Sequence, residues 1–287
     1  MKVKDVFEKS VNFFRDKNVD NPRFETELLL ASILKTDRIG VYLKYEAPLT
    51  EFETTSLREM VVRKGKGEPT AYLIGEKYFY NRRFEVGPGV LIPRPETEQI
   101  IEETLKHFKQ NQFGFLKIAD LGSGSGCLGI SLGLEIPNSS VTLIEKSVHA
   151  FQYCQKNLKK LVNEENQWRF QLVNHAVEEY TPEQGFHIIV ANPPYIAVED
   201  QDVEPTVRSY EPHEALFASD TGIAAISSWL HFVIKFLEPG GICFFEIGYK
   251  QGSIVKELFQ SKNYFQSVEV IQDFNQKDRI IKAVKYG

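Results

Sequence analysis

From Glu96 to the C-terminus, helical stretches and short apolar runs alternate, and this alternation constrains the fold more than any other feature. The amphipathic stretch "ETEQIIEETLKHF" precedes the strand-like "LKIADLG", and "LGISLGLE" precedes "SVTLIEKS". "HAFQYCQKNLKKLV" leads to "WRFQLVN", then "HIIVANPP", the helical "GIAAISSWLHFVIKFL", "GGICFFEIG" and the helical "GSIVKELFQS". Helices interleaved with strands must cover both faces of a parallel sheet, so the pattern predicts an α/β, doubly wound, Rossmann-like fold. "SVEVIQDF" and "DRIIKAVKY" have little between them and are expected to pair antiparallel. The expected sheet has seven strands, mostly parallel, with the last one antiparallel.

The first 70 or so residues follow another period. Val3, Phe7, Val11 and Phe14 recur every three or four residues and form one helix face. Asn21 before Pro22 has the form of an N-cap followed by proline at the first helical position. Thr50 and Glu53 have capping-box spacing ahead of "SLREMVVRK". In "EKYFYNRRFEVGPGVLIP", aromatic and β-branched residues flank Asn81, which predicts a hairpin. The expected organisation is a helical domain over 1–73, a linking hairpin over 74–95 and an α/β domain over 96–287.

Composition excludes several classes. A net charge of −5 argues against a chain whose main partner is bare duplex nucleic acid; "VVRKGKGE" is its only short basic candidate region. Cys127, Cys154 and Cys243 are far apart and form no CxxC, and the histidines form no HExxH, so no metal site is expected. The charged N-terminus is no signal peptide, and no apolar run reaches the roughly 20 residues needed to span a bilayer. The expectation is a reduced, cytoplasmic, metal-free protein.

Two segments carry chemistry. In "IADLGSGSGCLGI", Gly122, Gly124 and Gly126 permit tight turns and close ligand approach between a strand and a helix, whose first amides face the ligand. Gly124, Gly126 and Gly129 also satisfy the dinucleotide spacing, so a nicotinamide cofactor and a purely structural turn stand as alternatives. Asp120, just before the first glycine, suits a cationic ligand better than a pyrophosphate. Glu145, closing the next strand, sits where a ribose-binding acid belongs. Together they fit S-adenosyl-L-methionine.

The second segment, "NPPY", ends another strand of the same sheet and faces the same crevice. A conjugated NH₂ group is a poor nucleophile because its lone pair is delocalised. The Asn192 side-chain oxygen can accept one N–H, and the Pro193 carbonyl, aimed by the adjoining Pro194, can accept the other. Tyr195 can stack on the flat group. Holding both hydrogens favours a more tetrahedral nitrogen, its lone pair aimed at a sulfonium methyl, with no strong base required.

"DLGSGSG" with a downstream "NPPY" resembles the class I methyltransferases that act on planar amino groups. "VLIPRPETE", "YEPHEALFASDTG" and "FFEIGYKQG" resemble their glutamine branch, closest to the HemK/PrmC family, which methylates the glutamine of the Gly-Gly-Gln motif in class 1 peptide-chain release factors. The resemblance spans essentially the whole chain. It implies a protein-glutamine N5-methyltransferase, monomeric, with no stable nucleic-acid or membrane partner, whose N-terminal helical domain recognises the substrate. Gly122, Ser123, Gly124, Ser125 and Gly126 would cradle the methionine moiety and ribose beside Asp120, and Glu145 would hold the ribose hydroxyls. Asn192, Pro193, Pro194 and Tyr195 would bind the target amide, with Asn192 also near the cofactor. Phe79, Arg94 and Glu96 would lie near the pocket, or Arg94 and Glu96 would form a structural ion pair.

The sequence departs from that pattern twice. Glu145 replaces the family's aspartate, one methylene longer but still able to chelate a diol. Ala176 and Val177 stand where the family shows an aspartate and a bulky residue. Val177 would still cover the adenine face, and Asn174 or His175 would have to supply the missing polar group. Adenine N6-methylation of nucleic acid and a non-catalytic scaffold are the competing readings.

Overall fold

The computed structural model describes residues 1–110 and 114–287. The chain forms two compact units, Met1–Glu76 with Glu204–Tyr210, and Lys77–Val203 with Glu211–Gly287.

The first unit contains α1 (Val3–Asp16), α2 (Pro22–Ile33), α3 (Arg38–Leu43), α4 (Glu51–Lys64) and α5 (Thr70–Ile74). Val3, Phe7, Val11 and Phe14 of α1 are all buried, against Leu29, Leu30 and Leu57. Thr50 and Glu53 close the expected capping box reciprocally. Asn21 stands at the N-cap position. It adopts a left-handed conformation (φ 49°) with no side-chain bond to the helix, while Pro22 holds the first helical position. Basic residues at the end of α4 are neutralised locally, Arg63 by Glu68 and Lys64 by Glu25 at 3.4 Å. A short later helix, named below in chain order, joins this unit through the Tyr210 hydroxyl, which donates to the Lys66 carbonyl at 3.2 Å.

At the start of the second unit lies the hairpin β1 (Glu76–Phe79, whose first residue still belongs to the first unit) and β2 (Arg82–Glu85), turned by Tyr80 and Asn81, both with positive φ. There follow α6 (Glu98–Gln110), β3 (Leu116–Leu121), α7 (Cys127–Glu135), β4 (Ser139–Ile144), α8 (Val148–Leu161), β5 (Phe170–Val173), β6 (Phe186–Ala191) and the short β7 (Ile196–Ala197). Next come α9 (Pro205–Tyr210), which belongs to the first unit, then α10 (His213–Leu216) and β8 (Phe217–Ala218), which pairs with β7. The chain ends with α11 (Ala224–Phe236), β9 (Leu237–Glu246), α12 (Gly252–Gln260), β10 (Phe265–Gln272) and β11 (Asp278–Lys285).

The main sheet has seven strands in the order β10-β11-β9-β6-β3-β4-β5, and β11 is antiparallel to both neighbours. Alternate residues face opposite ways: Ile118, Ile188 and Val190 pack toward α6, α7 and α8, whereas Ala119, Ile189 and Ala191 pack toward α11 and α12. Strand order reverses between β3 and β6, the position at which open α/β sheets form a ligand crevice beyond their carboxyl ends. Leu121 is level with both Ile144 and Ala191, so the next residues, Gly122, Glu145 and Asn192, leave the sheet side by side.

Candidate active site

A cavity at this edge is lined by Asp120, Gly122, Ser123, Gly124, Ser125, Glu145, Val177, Asn192 and Pro194, and also by Arg94, Thr97, His175, Glu178 and Trp229. The structure thus brings together most of the residues singled out above, from segments far apart in sequence. Among the described residues no group of three or more His, Cys, Asp or Glu could hold a metal ion, and no helix is long and apolar enough to cross a membrane.

The glycine loop is shaped by its backbone. Gly122, Gly124 and Gly126 all have positive φ (67°, 56° and 79°), a region that side chains disfavour. The Trp229 ring packs directly against Gly122. The Ser123 amide donates to the Ile144 carbonyl at 2.9 Å, stitching the loop to β4. Glu145 accepts from the Gly124 amide at 2.8 Å through Oε2 and from the Ser147 amide at 2.7 Å through Oε1, so each oxygen is oriented and keeps a further lone pair for a ligand. Asn157, fully buried on α8, ties the loop to the hairpin. Its Nδ2 donates to the Ser125 carbonyl (2.9 Å) and the Glu85 carbonyl (3.0 Å), and its Oδ1 accepts from the Glu85 amide. No sequence motif marks this residue, since its partners lie 32 and 72 positions away.

Asp120 is buried and accepts from the Gly129 amide at 2.8 Å. Burial pushes its carboxyl up to about 7 against that hydrogen bond, and the Glu145 charge adds to the rise. Burial likewise raises Glu145, opposed by its two amide donors. A pair of buried acids in a cavity wall calls for a cationic or hydroxyl-bearing ligand. Ser125 Oγ, also buried in this wall, has no nitrogen or oxygen partner among the described residues. These are the features a nucleoside with a cationic tail would satisfy.

Other expected residues fall elsewhere. Phe79 does not line the cavity. The inward face of β1 places it at 1% exposure in the core, edge-on to Phe84. Arg94 reaches the wall but pairs with Glu211 at 2.6 Å, not with exposed Glu96. The Ile92 amide donates to the same Glu211 at 3.0 Å, so a buried carboxylate organises this segment. Asn174 is not in the wall either. Its amide holds the Glu145 and Lys146 carbonyls. His175 is in the wall but exposed, 3.7 Å from Glu179. Two residues past Ala176 a carboxylate does line the cavity. Glu178 lines the cavity and accepts from Trp229 Nε1 at 3.1 Å and Ser228 Oγ at 3.0 Å.

At the end of β6, Pro193 is buried and Asn192 donates through Nδ2 to Thr97 Oγ1 at 3.0 Å. Tyr195 is not among the lining residues. Its hydroxyl donates to buried Glu246 at 3.0 Å, and its carbonyl accepts from Gln251 Nε2 at 2.9 Å. Burial, then the Glu246 charge, hold its phenol far above the usual range.

The family described as PrmC N-terminal domain matches residues 5–75, and the one described as methyltransferase small domain matches residues 102–209. A protein of Geobacter sulfurreducens named release factor glutamine methyltransferase is 34% identical over 280 residues, 97% of this chain and 95% of its own. One of Leptospira interrogans with the same name is 35% identical, covering 88% of this chain and 93% of its own. A methyltransferase structure from Pyrococcus furiosus aligns with a TM-score of 0.52 at 18% identity, covering 74% of this chain and 92% of its own, a likeness of fold. Nearly full-length identity above 30%, on a class I methyltransferase sheet with its glycine loop and "NPPY" at one cavity, makes this chain a member of the release factor glutamine methyltransferase family.

Proposed function

We propose that the chain transfers a methyl group from S-adenosyl-L-methionine to the side-chain amide nitrogen of the glutamine in the Gly-Gly-Gln motif of class 1 peptide-chain release factors. The observation that carries this reading is the convergence of Gly122, Glu145 and Asn192 at three level strand ends around one cavity.

The cofactor, when bound, supplies an electrophilic methyl on a sulfonium centre. The loop from Gly122 to Gly126 offers close backbone approach, and Asp120 balances positive charge. Glu145, oriented by two amides, accepts from the ribose hydroxyls, and Val177 covers the base. Ser125 Oγ, within the expected cradle, and the Glu178 carboxylate, which sequence reasoning did not assign, add polar contacts. On the substrate side, Asn192 Oδ1 and the Pro193 carbonyl take the two amide hydrogens, Pro194 stiffens the turn, and Tyr195, outside the cavity wall, fixes that turn through its hydroxyl and its carbonyl. Holding both hydrogens aims the nitrogen lone pair. The nitrogen lone pair forms the new N–C bond as the methyl–sulfur bond breaks with its pair left on sulfur, and one amide hydrogen leaves as a proton to water, so no strong base is needed. The first unit is assigned to release-factor recognition and Arg94 to the substrate side of the pocket.

The test mixes the purified protein with methyl-labelled S-adenosyl-L-methionine and a full-length class 1 release factor, beside its Gln→Ala variant in Gly-Gly-Gln. Label in the first factor alone is the expected result. Label in added DNA or RNA instead would replace this reading with adenine methylation.

A pH dependence follows from Asp120. Its carboxyl in the free protein titrates near 7 because it is buried, and a bound cation favours the ionised form. Affinity for the cofactor is therefore full above that value and is lost as pH falls through it, with a proton released on binding. Between pH 8 and pH 6 the dissociation constant rises about tenfold through this group, one pKa unit being about 1.4 kcal/mol. Titration calorimetry at both pH values, on the wild type and on Asp120→Asn, checks it. The variant binds more weakly and loses that part of the dependence. An unchanged pH profile in the variant would assign the titration to another group.

A further inference from the structure

The buried carboxylate of Glu246 has no part in the chemistry described above, yet it touches that site at two points. It closes β9 at 1% exposure, and Phe245 before it is level with Ala191 on β6, so Glu246 lies next to Asn192 at the sheet edge. Its Oε2 accepts from Thr97 Oγ1 at 2.6 Å and its Oε1 from the Tyr195 hydroxyl at 3.0 Å. Thr97 Oγ1 in turn accepts from Asn192 Nδ2 at 3.0 Å.

Counting protons gives this chain a direction. An ionised carboxylate only accepts, and a hydroxyl has one proton to give. Thr97 gives that proton to Glu246 and turns only lone pairs toward Asn192. Only the NH₂ end of the Asn192 amide can meet them. Reversing the amide would set its oxygen against another oxygen about 3 Å away and leave two acceptors without a proton between them. We infer that Thr97 and Glu246 are positioning residues for methyl transfer: the Glu246 carboxylate, relayed by the Thr97 hydroxyl, orients the Asn192 amide so that its oxygen faces the substrate, while the same carboxylate anchors Tyr195. One buried group thereby orients two members of "NPPY" from two other segments of the chain.

Burial raises the Glu246 carboxyl above its usual range, and the Glu96 charge adds to the rise. The Thr97 and Tyr195 hydroxyl donors and the charge of Arg279, on the neighbouring strand β11, oppose it and favour the carboxylate that the relay uses. Glu246 would otherwise be only a polar staple between strand and helix. A staple would alter stability when removed, but not the orientation of an amide two hydrogen bonds away.

The inference rests on the proposed glutamine methylation, and its test separates the two. Thr97→Val removes the hydroxyl at nearly constant shape, and Thr97→Ser restores it. Steady-state kinetics with the release factor should show kcat about 10- to 100-fold lower in Thr97→Val, since small misplacement of a positioning group costs on that order. Cofactor affinity by calorimetry should stay within about threefold, and Thr97→Ser should return kcat to within about threefold of wild type. In an Asn192→Ala background, Thr97→Val should cost less than about twofold more, because the residue acts through Asn192. A wild-type kcat in Thr97→Val, an undiminished further loss in the Asn192→Ala background, or no rescue by serine would each overturn the assignment. A readout independent of catalysis is the Asn192 side-chain NH₂ resonance in wild-type protein, identified by its loss in Asn192→Ala. Slow exchange and a shift in Thr97→Ser support the relay. Solvent-like exchange of these protons overturns it, even if Thr97→Val does not fold. If wild-type protein fails to label any release factor while this resonance behaves as expected, the functional reading falls and the oriented amide stands.

Discussion

Asn192→Ala lowers kcat for release factor methylation by about 10²- to 10³-fold, while affinity for S-adenosyl-L-methionine weakens by less than about tenfold. The side-chain oxygen is worth most when the target nitrogen becomes tetrahedral, so its loss falls on the transition state more than on the ground state. The cavity keeps its glycine loop, Asp120 and Glu145, which contact Asn192 through none of the hydrogen bonds described. Single-turnover kinetics with saturating cofactor, set beside calorimetry of cofactor binding, make the comparison. A fall in kcat of less than tenfold would remove Asn192 from the centre of the mechanism. An equal loss in both measurements would make it a cofactor ligand first.

Gly122→Ala is the second large effect, and it divides the opposite way. Its φ of 67° is unfavourable for alanine, and the added Cβ would lie 2.4 Å from a ring carbon of Trp229. Backbone strain of about 1–3 kcal/mol and overpacking of about 1–3 kcal/mol both apply. The ring must shift, and Trp229 belongs to the core cluster with Leu230 and Val233 and also lines the cavity. Cofactor affinity is expected to fall by about 10²-fold or more, with a lower midpoint of thermal unfolding. Gly124→Ala is the control. It shares the positive φ (56°), but its nearest protein contact would be a backbone oxygen at 4.0 Å, so the cofactor-free protein should show backbone strain alone. Equal behaviour of the two variants in thermal melts without cofactor would show that the Trp229 contact does not matter.

Periodicity made the catalytic unit readable. The apolar runs "LKIADLG", "SVTLIEKS" and "HIIVANPP" appear as β3, β4 and β6, and the final antiparallel pair appears as β10 and β11. These signals are local, because a strand buried on both faces needs an unbroken apolar run and a loop closing onto a helix needs glycines at fixed spacing. The capping box at Thr50 and Glu53 was legible for the same reason. Asn21 stands at the N-cap as expected, but the backbone there takes the left-handed turn that asparagine also tolerates, so its side chain does not bond the helix. The helix Pro205–Tyr210 gave no periodic signal, since six residues make less than two turns and none of them is buried.

For the site, the composition of the glycine loop and of "NPPY" named most of the residues that the fold gathers around one cavity. Phe79, though aromatic and beside a turn, went to the core because strand alternation decides which face a side chain takes. Arg94 paired with Glu211, 117 residues away, rather than with Glu96 two residues on. Thr97, Asn157, Glu178 and Glu246 were not assigned, because what distinguishes each is a partner from another segment.

The sequence by itself determined the order of strands and helices, the presence of a loop able to admit a ligand, and the chemical kind of group that "NPPY" can hold. Those properties belong to short stretches whose residues act on their own backbone. Only the tertiary structure decided which way the Asn192 amide faces, that Glu178 stands in the cavity wall and which carboxylate holds Arg94. Each depends on a hydrogen bond between residues far apart in the chain, and spacing along the chain carries no record of such a bond.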